Sequence, residues 1–223
     1  MSVNRVTVNA RAFAACALVQ AGPKEVRQYL AGVYAEPNPQ GKGVILVGTD
    51  GARLLAVLDL NGTIEGDPQI WRAPKNVLSE AGKKAKEVRQ VELVSQVINE
   101  DIVERAEVTA GIVAIVTSPC EVVCGKYPDW RNVVPTVVNF RGDGAQRTSA
   151  FQPDFIADLG RIAKLLSDSK MPITQITFNN DNRRPAVVEF EACLEGVSAF
   201  MVLMPTRPAY VGDEISIPDW VRG

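Results

Sequence analysis

The sequence predicts an α+β fold of antiparallel sheets with its helices gathered on one side. Three observations carry this. Extended runs follow one another in hairpin succession, only three segments have helical spacing, and the order strand, helix, three strands comes round three times in 223 residues. Consecutive hairpins separate α+β from an alternating α/β pattern.

The first unit opens with the alternating RVTVN from Arg5. ARAFAACALVQAG follows, with Ala, Phe and Leu at helical spacing before a Gly stop. LAGVYA from Leu30 to Ala35, VILV from Val44 to Val47 and LLAVLDL from Leu54 to Leu60 are then extended, separated by Pro/Asn/Gly-rich and Thr-Asp-Gly turns. After NGTIEGDP the order returns: QIWRAP as strand, a helix near KNVLSEAGKKAKEV, then VRQVELVSQVI, ERAEVTA, IVAIVTS and CEVVCG. The third unit reads TSAFQ as strand and PDFIADLGRIAKLLSDS as a helix with Pro at its start. ITQITFNN, AVVEFEA and SAFMVLMP complete it as strands. Three βαβββ units are expected, each needing a neighbour to cover its half-open sheet. Two make a natural domain and the third lacks a mate, so a homo-oligomer is expected, most simply with the third unit meeting its copy across a two-fold axis.

Composition narrows function by exclusion. With 46% hydrophobic and 22% charged residues the chain reads as an ordinary globular protein. It lacks a run near the roughly 18 apolar residues of a membrane span and a signal-peptide opening, so no membrane role and a cytoplasmic location are expected. Histidine is absent, which excludes triad hydrolases and His-containing zinc sites. No P-loop, dinucleotide fingerprint or nucleophile elbow is present, and neither an enzyme nor a cofactor is expected. Cys16, Cys120, Cys124 and Cys193 read as free thiols. Cys120 and Cys124 alone make half a thiolate metal site without a second pair, or else small thiols on one face of a strand. The net charge of −2 gives no global attraction to nucleic acid, so any DNA contact needs a local patch. Lys75, Lys83, Lys84 and Lys86 fall on the second expected helix and Arg161, Lys164 and Lys170 on or just after the third. Acidic residues such as Glu92, Glu104 and Glu107 fall in strands. The first helix carries only Arg11. A basic helical face is either a solvated surface or a place for phosphates.

Four stretches, VRQYLAGVYAE, GTDGARLLAV, KYPDWRNVVP and FMVLMPTR, lie where the repeat puts turns or strand ends. Together and in this order they resemble the bacterial sliding clamp family, the beta subunit of DNA polymerase III. Its middle domain carries Tyr-Leu-Asn-Gly, Thr-Asp-Gly-His-Arg-Leu and Phe-Pro-Asp-Tyr-x-x-Val-x-Pro, and its chain ends in Val-Met-Pro-Met-Arg. Ala52 stands where the family has His, and Ala31 where it has Asn.

The resemblance implies a shortened DNA clamp fold. Residues 1–136 would match the middle domain, 137–146 form a linker, 147–207 match the end of the last domain, and 208–223 form a tail. It implies a non-catalytic accessory protein of replication or repair. A peptide cleft would be built from Leu30, Thr49, Gly51, Arg53, Leu54, Pro135, Val202, Met204, Pro205 and Arg207. Its partners would be peptide motifs of a DNA polymerase or clamp loader. Duplex DNA would be contacted without sequence reading through Lys83, Lys84, Lys86, Arg161 and Lys164. The alternative is a clamp-derived adaptor or decoy that keeps the cleft and does not encircle DNA. Taken singly, Leu30, Leu54 and Val202 also read as core and Thr49-Asp50-Gly51 as a hairpin turn. Trp130 is expected to anchor the connector after Pro-Asp, and Trp71 to be packing.

Overall fold

Asn9 ends the first strand and starts the first helix. Its side chain accepts from the backbone N–H groups of Arg11 and Ala12 at 3.0 and 3.3 Å, and its own N–H donates to Asp59 Oδ2 at 2.6 Å. The computed structural model describes residues 3–98, 101–135, 149–179 and 183–206. The first unit comprises β1 (Val3–Asn9), α1 (Ala10–Ala17), β2 (Val33–Pro37), β3 (Val44–Thr49) and β4 (Arg53–Asp59). After the short β5 (Thr63–Glu65), the second comprises β6 (Gln69–Arg72), α2 (Lys75–Ala81), β7 (Arg89–Ile98), β8 (Asp101–Ala110), β9 (Val113–Pro119) and β10 (Glu121–Val122). The third comprises α3 (Pro153–Leu166), β11 (Thr174–Thr177), β12 (Ala186–Phe190) and β13 (Val197–Leu203).

The α+β class stands, with two antiparallel sheets, but the units are less self-contained than the sequence suggests. The opening strand of each of the first two units joins the other's sheet: β1 pairs with β7, and β6 with β2. The sheets run β5-β1-β7-β8-β9 and β10-β6-β2-β3-β4-β13-β12-β11. The third unit extends the larger sheet through β13, which pairs antiparallel with β4 from Leu203↔Arg53 to Val197↔Asp59. α1 packs between α2 and α3 on one side of the sheets. Phe13, Trp71, Leu93, Ile162 and Leu203 belong to one continuous buried core drawn from all three units. Burial of such apolar surface is the main favourable term for the fold.

Several elements differ from the sequence reading. Leu30 lies in a 3-10 turn, Gln28–Leu30, and the strand begins at Val33. Gly32 between them lies so close to Ile70 and the Trp71 backbone that a Cβ would collide. The second helix stops at Ala81 with Gly82 as its cap, leaving Lys83, Lys84 and Lys86 in an irregular segment. Glu80 holds that exit by pairing with both Lys83 and Arg89 at 2.6 Å, and the chain must turn there because β7 begins at Arg89. The expected strand TSAFQ is a single bridge, Ala150 to Thr206, followed directly by Pro153 at the start of α3. CEVVCG shrinks to two paired residues, with Cys120 half-buried and Cys124 exposed rather than both lining a buried face. No disulfide links the four cysteines. Among the described residues, no helix is long and apolar enough to cross a membrane.

Candidate functional site

The β4–β13 junction brings opposite ends of the chain together. Leu54 faces Val202 across the ladder, and Met204 donates its N–H to the Ala52 carbonyl at 2.9 Å. On the outer face of this sheet a second apolar cluster of Val47, Leu54, Ala56, Ile70, Val123, Tyr127 and Val202 forms, apart from the main core. Tyr127 seals it. Its ring stacks on Tyr34 at 4.5 Å, its hydroxyl donates to the Val47 carbonyl at 3.3 Å, and burial pushes its phenol well above the usual range. Trp130 lies at the cluster's margin, its Nε1 donating to Glu36 at 3.2 Å, with the Arg131 guanidinium 4.2 Å above its ring. Trp71 is fully buried, as packing requires.

Above this cluster opens a groove of about 290 Å³ lined by Leu30, Thr49, Gly51, Arg53, Leu54, Val202 and Met204. Arg27, Tyr29, Ala52, Pro128, Asp129, Trp130 and Val133 complete its walls. Seven of the ten cleft residues expected from sequence therefore share one groove. Pro135 and Pro205 do not line it, and Arg207 lies outside the described residues. Leu30, Leu54 and Val202 are buried and form its floor, whereas Met204 stands 39% exposed at its mouth. Such an apolar floor with an adaptable thioether at the rim suits varied apolar side chains.

The polar residues behave differently from the sequence reading. Thr49 is a cleft residue in the sequence reading, but its hydroxyl is taken up within the turn: it donates to the Arg53 carbonyl at 2.6 Å and accepts from the Gly51 N–H at 3.1 Å. Arg53 is also engaged. Its Nε donates to Asp50 at 2.9 Å, one terminal nitrogen to Asp158 at 2.8 Å and the other to the Leu18 carbonyl at 3.3 Å, while Phe155 lies 4.6 Å beneath. It acts as a wall of the groove. The cation at the mouth is Arg27, with about half its side chain exposed, paired with Glu25 at 2.9 Å and lying over Gly51. That guanidinium holds the Glu25 carboxyl down at about 2. Arg27 sits inside the VRQYL stretch, but no local pattern separates it from a solvated surface arginine.

A second concavity lies among the helices. Lys75, Lys83, Lys84, Arg161 and Lys164 line a groove of about 580 Å³, with Ala14, Leu18, Leu78 and Leu165 as its apolar base and no acidic residue in its lining. The expected basic face is thus assembled from α2, its exit and α3. Lys86 faces a smaller neighbouring hollow with Arg11, Lys83 and Asp168. Arg11 itself is structural, donating to the Lys164 and Ser167 carbonyls at 2.9 and 2.6 Å and pairing with Asp168. It satisfies the carbonyl end of α3.

No family model matches the chain, and no curated protein matches it. Solved structures do. A DNA polymerase sliding clamp from Pseudomonas aeruginosa, crystallised with a ligand, superposes with a TM-score of 0.57 at 15% identity over 92% of this chain and 66% of its own. The H. pylori beta clamp in complex with diflunisal gives 0.58 at 13% identity, over 91% and 66%. The DNA polymerase sliding clamp of Caulobacter crescentus gives 0.53 at 18%, over 92% and 66%. The fold is that of the bacterial sliding clamps, and the chain spans 66% of the length of the clamps it matches.

Proposed function

We propose that this chain is a sliding-clamp-like accessory protein of DNA replication or repair that holds short peptide ends of partner proteins in the groove at the β4–β13 junction. The observation that carries this reading is the groove itself. Leu54 and Ala52 from one end of the sequence and Val202 and Met204 from the other make one apolar, solvent-open hollow beside an exposed guanidinium. A peptide ending in adjacent Leu and Phe fits that chemistry. Its apolar side chains would enter over Leu54 and Val202, and a carboxylate would meet Arg27. The expected partners are the terminal motifs of a DNA polymerase or clamp loader.

The basic groove among the helices would rest on duplex DNA. Lys83, Lys84, Arg161 and Lys164, with Lys86 beside them, offer cations to phosphates and no base-reading element, so binding would be independent of sequence. Encircling DNA would require a homo-oligomer. A second reading is an adaptor or decoy that keeps the peptide groove and does not encircle DNA; the groove is lined entirely by residues of one chain and needs no ring to form. Neither role uses a catalytic residue or a cofactor.

Binding of a labelled Leu-Phe-ended peptide, followed by anisotropy, tests the groove. Saturable binding weakened by Met204→Ala supports it, and no binding at millimolar peptide overturns it. Salt-sensitive retention on closed circular duplex, with a loader present, separates the two readings. Retention that disappears on linearising the circle belongs to a ring, and absence of retention belongs to the adaptor.

A further inference from the structure

We infer that the groove at the β4–β13 junction is the seat of the chain's own C-terminal segment, with Ile215, Ile217 and Trp220 as its anchors over Leu54 and Val202, and that a partner peptide must displace it. The inference rests on the proposed reading of this groove as a peptide seat and adds how access to it is regulated.

The described residues end at the groove itself. Met204 stands at its mouth with its N–H bonded to the Ala52 carbonyl at 2.9 Å, and two residues on Thr206 donates its N–H to the Ala150 carbonyl at 2.7 Å. That second bond holds the chain beside the start of α3, whose Phe155 lies under the Arg53 wall. The sequence continues from 207 to 223, outside the described residues. At about 3.3 Å per extended residue, Ile215 can lie up to about 30 Å from Thr206 and Trp220 up to about 46 Å, enough slack to turn back over Met204. A tether this short keeps its residues at roughly millimolar effective concentration beside the groove.

The composition of the segment calls for cover. A solvated terminus is ordinarily poor in aromatic and β-branched residues, whereas PAYVGDEISIPDWVRG contains Tyr210, Val211, Ile215, Ile217, Trp220 and Val221. Gly212-Asp213 is a turn signal that permits the reversal. Beyond it, Ile215 and Ile217 fall on one side of an extended chain. Ile217 also precedes Pro218, which biases it to that extended state and lowers the ordering cost of binding. The chemistry matches the groove at both levels. No charge occurs from Ile215 to Pro218, as suits a floor of Leu30, Leu54 and Val202. Asp213, Glu214 and Asp219 flank that stretch with carboxylates, and the exposed guanidinium at the mouth is Arg27.

At millimolar effective concentration, a segment with an intrinsic Kd of about 0.1 mM fills the groove in about ten chains of eleven, so removing its anchors should tighten binding of an added peptide about ten-fold. Wild type is compared with the double variant Ile217→Asp, Trp220→Ala, both retaining residues 1–223. Two labelled probes are followed by anisotropy: a Leu-Phe-ended peptide and a peptide of residues 208–223. The double variant should bind the Leu-Phe peptide about ten-fold more tightly than wild type, by the same factor at every chain concentration. It should also bind the 208–223 peptide, and Met204→Ala should weaken that binding. Equal Leu-Phe affinity in the two chains overturns the inference and leaves the peptide groove standing. Binding of the 208–223 peptide, sensitive to Met204→Ala, with no Leu-Phe binding by either chain upholds the segment's seat while the partner reading falls. Binding of neither peptide overturns both. A 208–223 peptide that ignores Met204→Ala and is displaced by duplex DNA belongs to the basic groove and overturns the inference. So does a ten-fold factor that grows with chain concentration, which would put the segment in another copy's groove.

Discussion

Arg53 and Asp158, 105 positions apart, form a 2.8 Å ion pair that ties the wall of the apolar groove to α3. Both side chains are largely buried, and the other carboxylate oxygen of Asp158 accepts from Arg161 on the basic face at 2.8 Å. One carboxylate thus joins the two candidate surfaces. Removing it leaves a buried guanidinium with Asp50 as its remaining carboxylate partner. Asp158→Ala should lower unfolding free energy by about 2–4 kcal/mol, less than the full cost of an orphaned charge, and Asp158→Asn by less. Urea denaturation measures both.

Met204 stands at the groove's mouth, and its side chain is not part of the buried core. Met204→Ala should cost about 1–2 kcal/mol of peptide binding, or roughly five- to thirty-fold in affinity, with little change in melting temperature. A titration beside a thermal melt checks the pair of outcomes. A large loss of stability with the loss of binding would assign Met204 to the core instead.

Lys83 and Lys84 line the acid-free groove. Changing both to Glu should weaken non-specific duplex binding and flatten its log-log salt dependence by about 0.9 for each phosphate no longer neutralised. Affinity measured at several salt concentrations gives the slope directly.

Gly48 lies under α1. A Cβ there would collide with the Cys16 carbonyl oxygen, which is backbone and cannot step aside cheaply. Gly48→Ala should therefore destabilise the fold by about 3 kcal/mol or more, the upper end for overpacking, as read from the urea midpoint.

The four thiols should differ in reactivity. Burial pushes Cys120 up to about 12, with Glu104 adding to it, and it raises Cys16 and Cys193 as well. A raised thiol pKa depletes the thiolate, so at pH 8 Cys120 has about one thiolate in ten thousand, and its alkylation should accelerate as pH rises. Cys124 is exposed. Iodoacetamide at pH 8 should label one site promptly, and Cys124→Ser should abolish that fast phase, as followed by intact mass.

The sequence by itself determined the class of fold, the three-fold repeat and most of the element order, but not β5 inside the expected loop or the reduction of TSAFQ to a single bridge. Period-two and helical spacing are local properties, and turns such as Thr49-Asp50-Gly51 are written in residue type. Four ordered stretches also led to seven residues that line the groove, half of its lining. Only the tertiary structure decided that β1 and β6 change places between sheets, because either pairing satisfies the same alternation. The fate of the polar side chains was decided there as well. Arg53 and Arg27 are both arginines near a groove, but Asp158, whose side chain arrives from 105 residues away, engages the first and leaves the second at the mouth. Lys83 and Lys84 reach the basic groove although the helix expected to carry them stops short, since α3 supplies the opposite wall. Long-range partners of this kind have no local signature, and they set which charges remain available to a ligand.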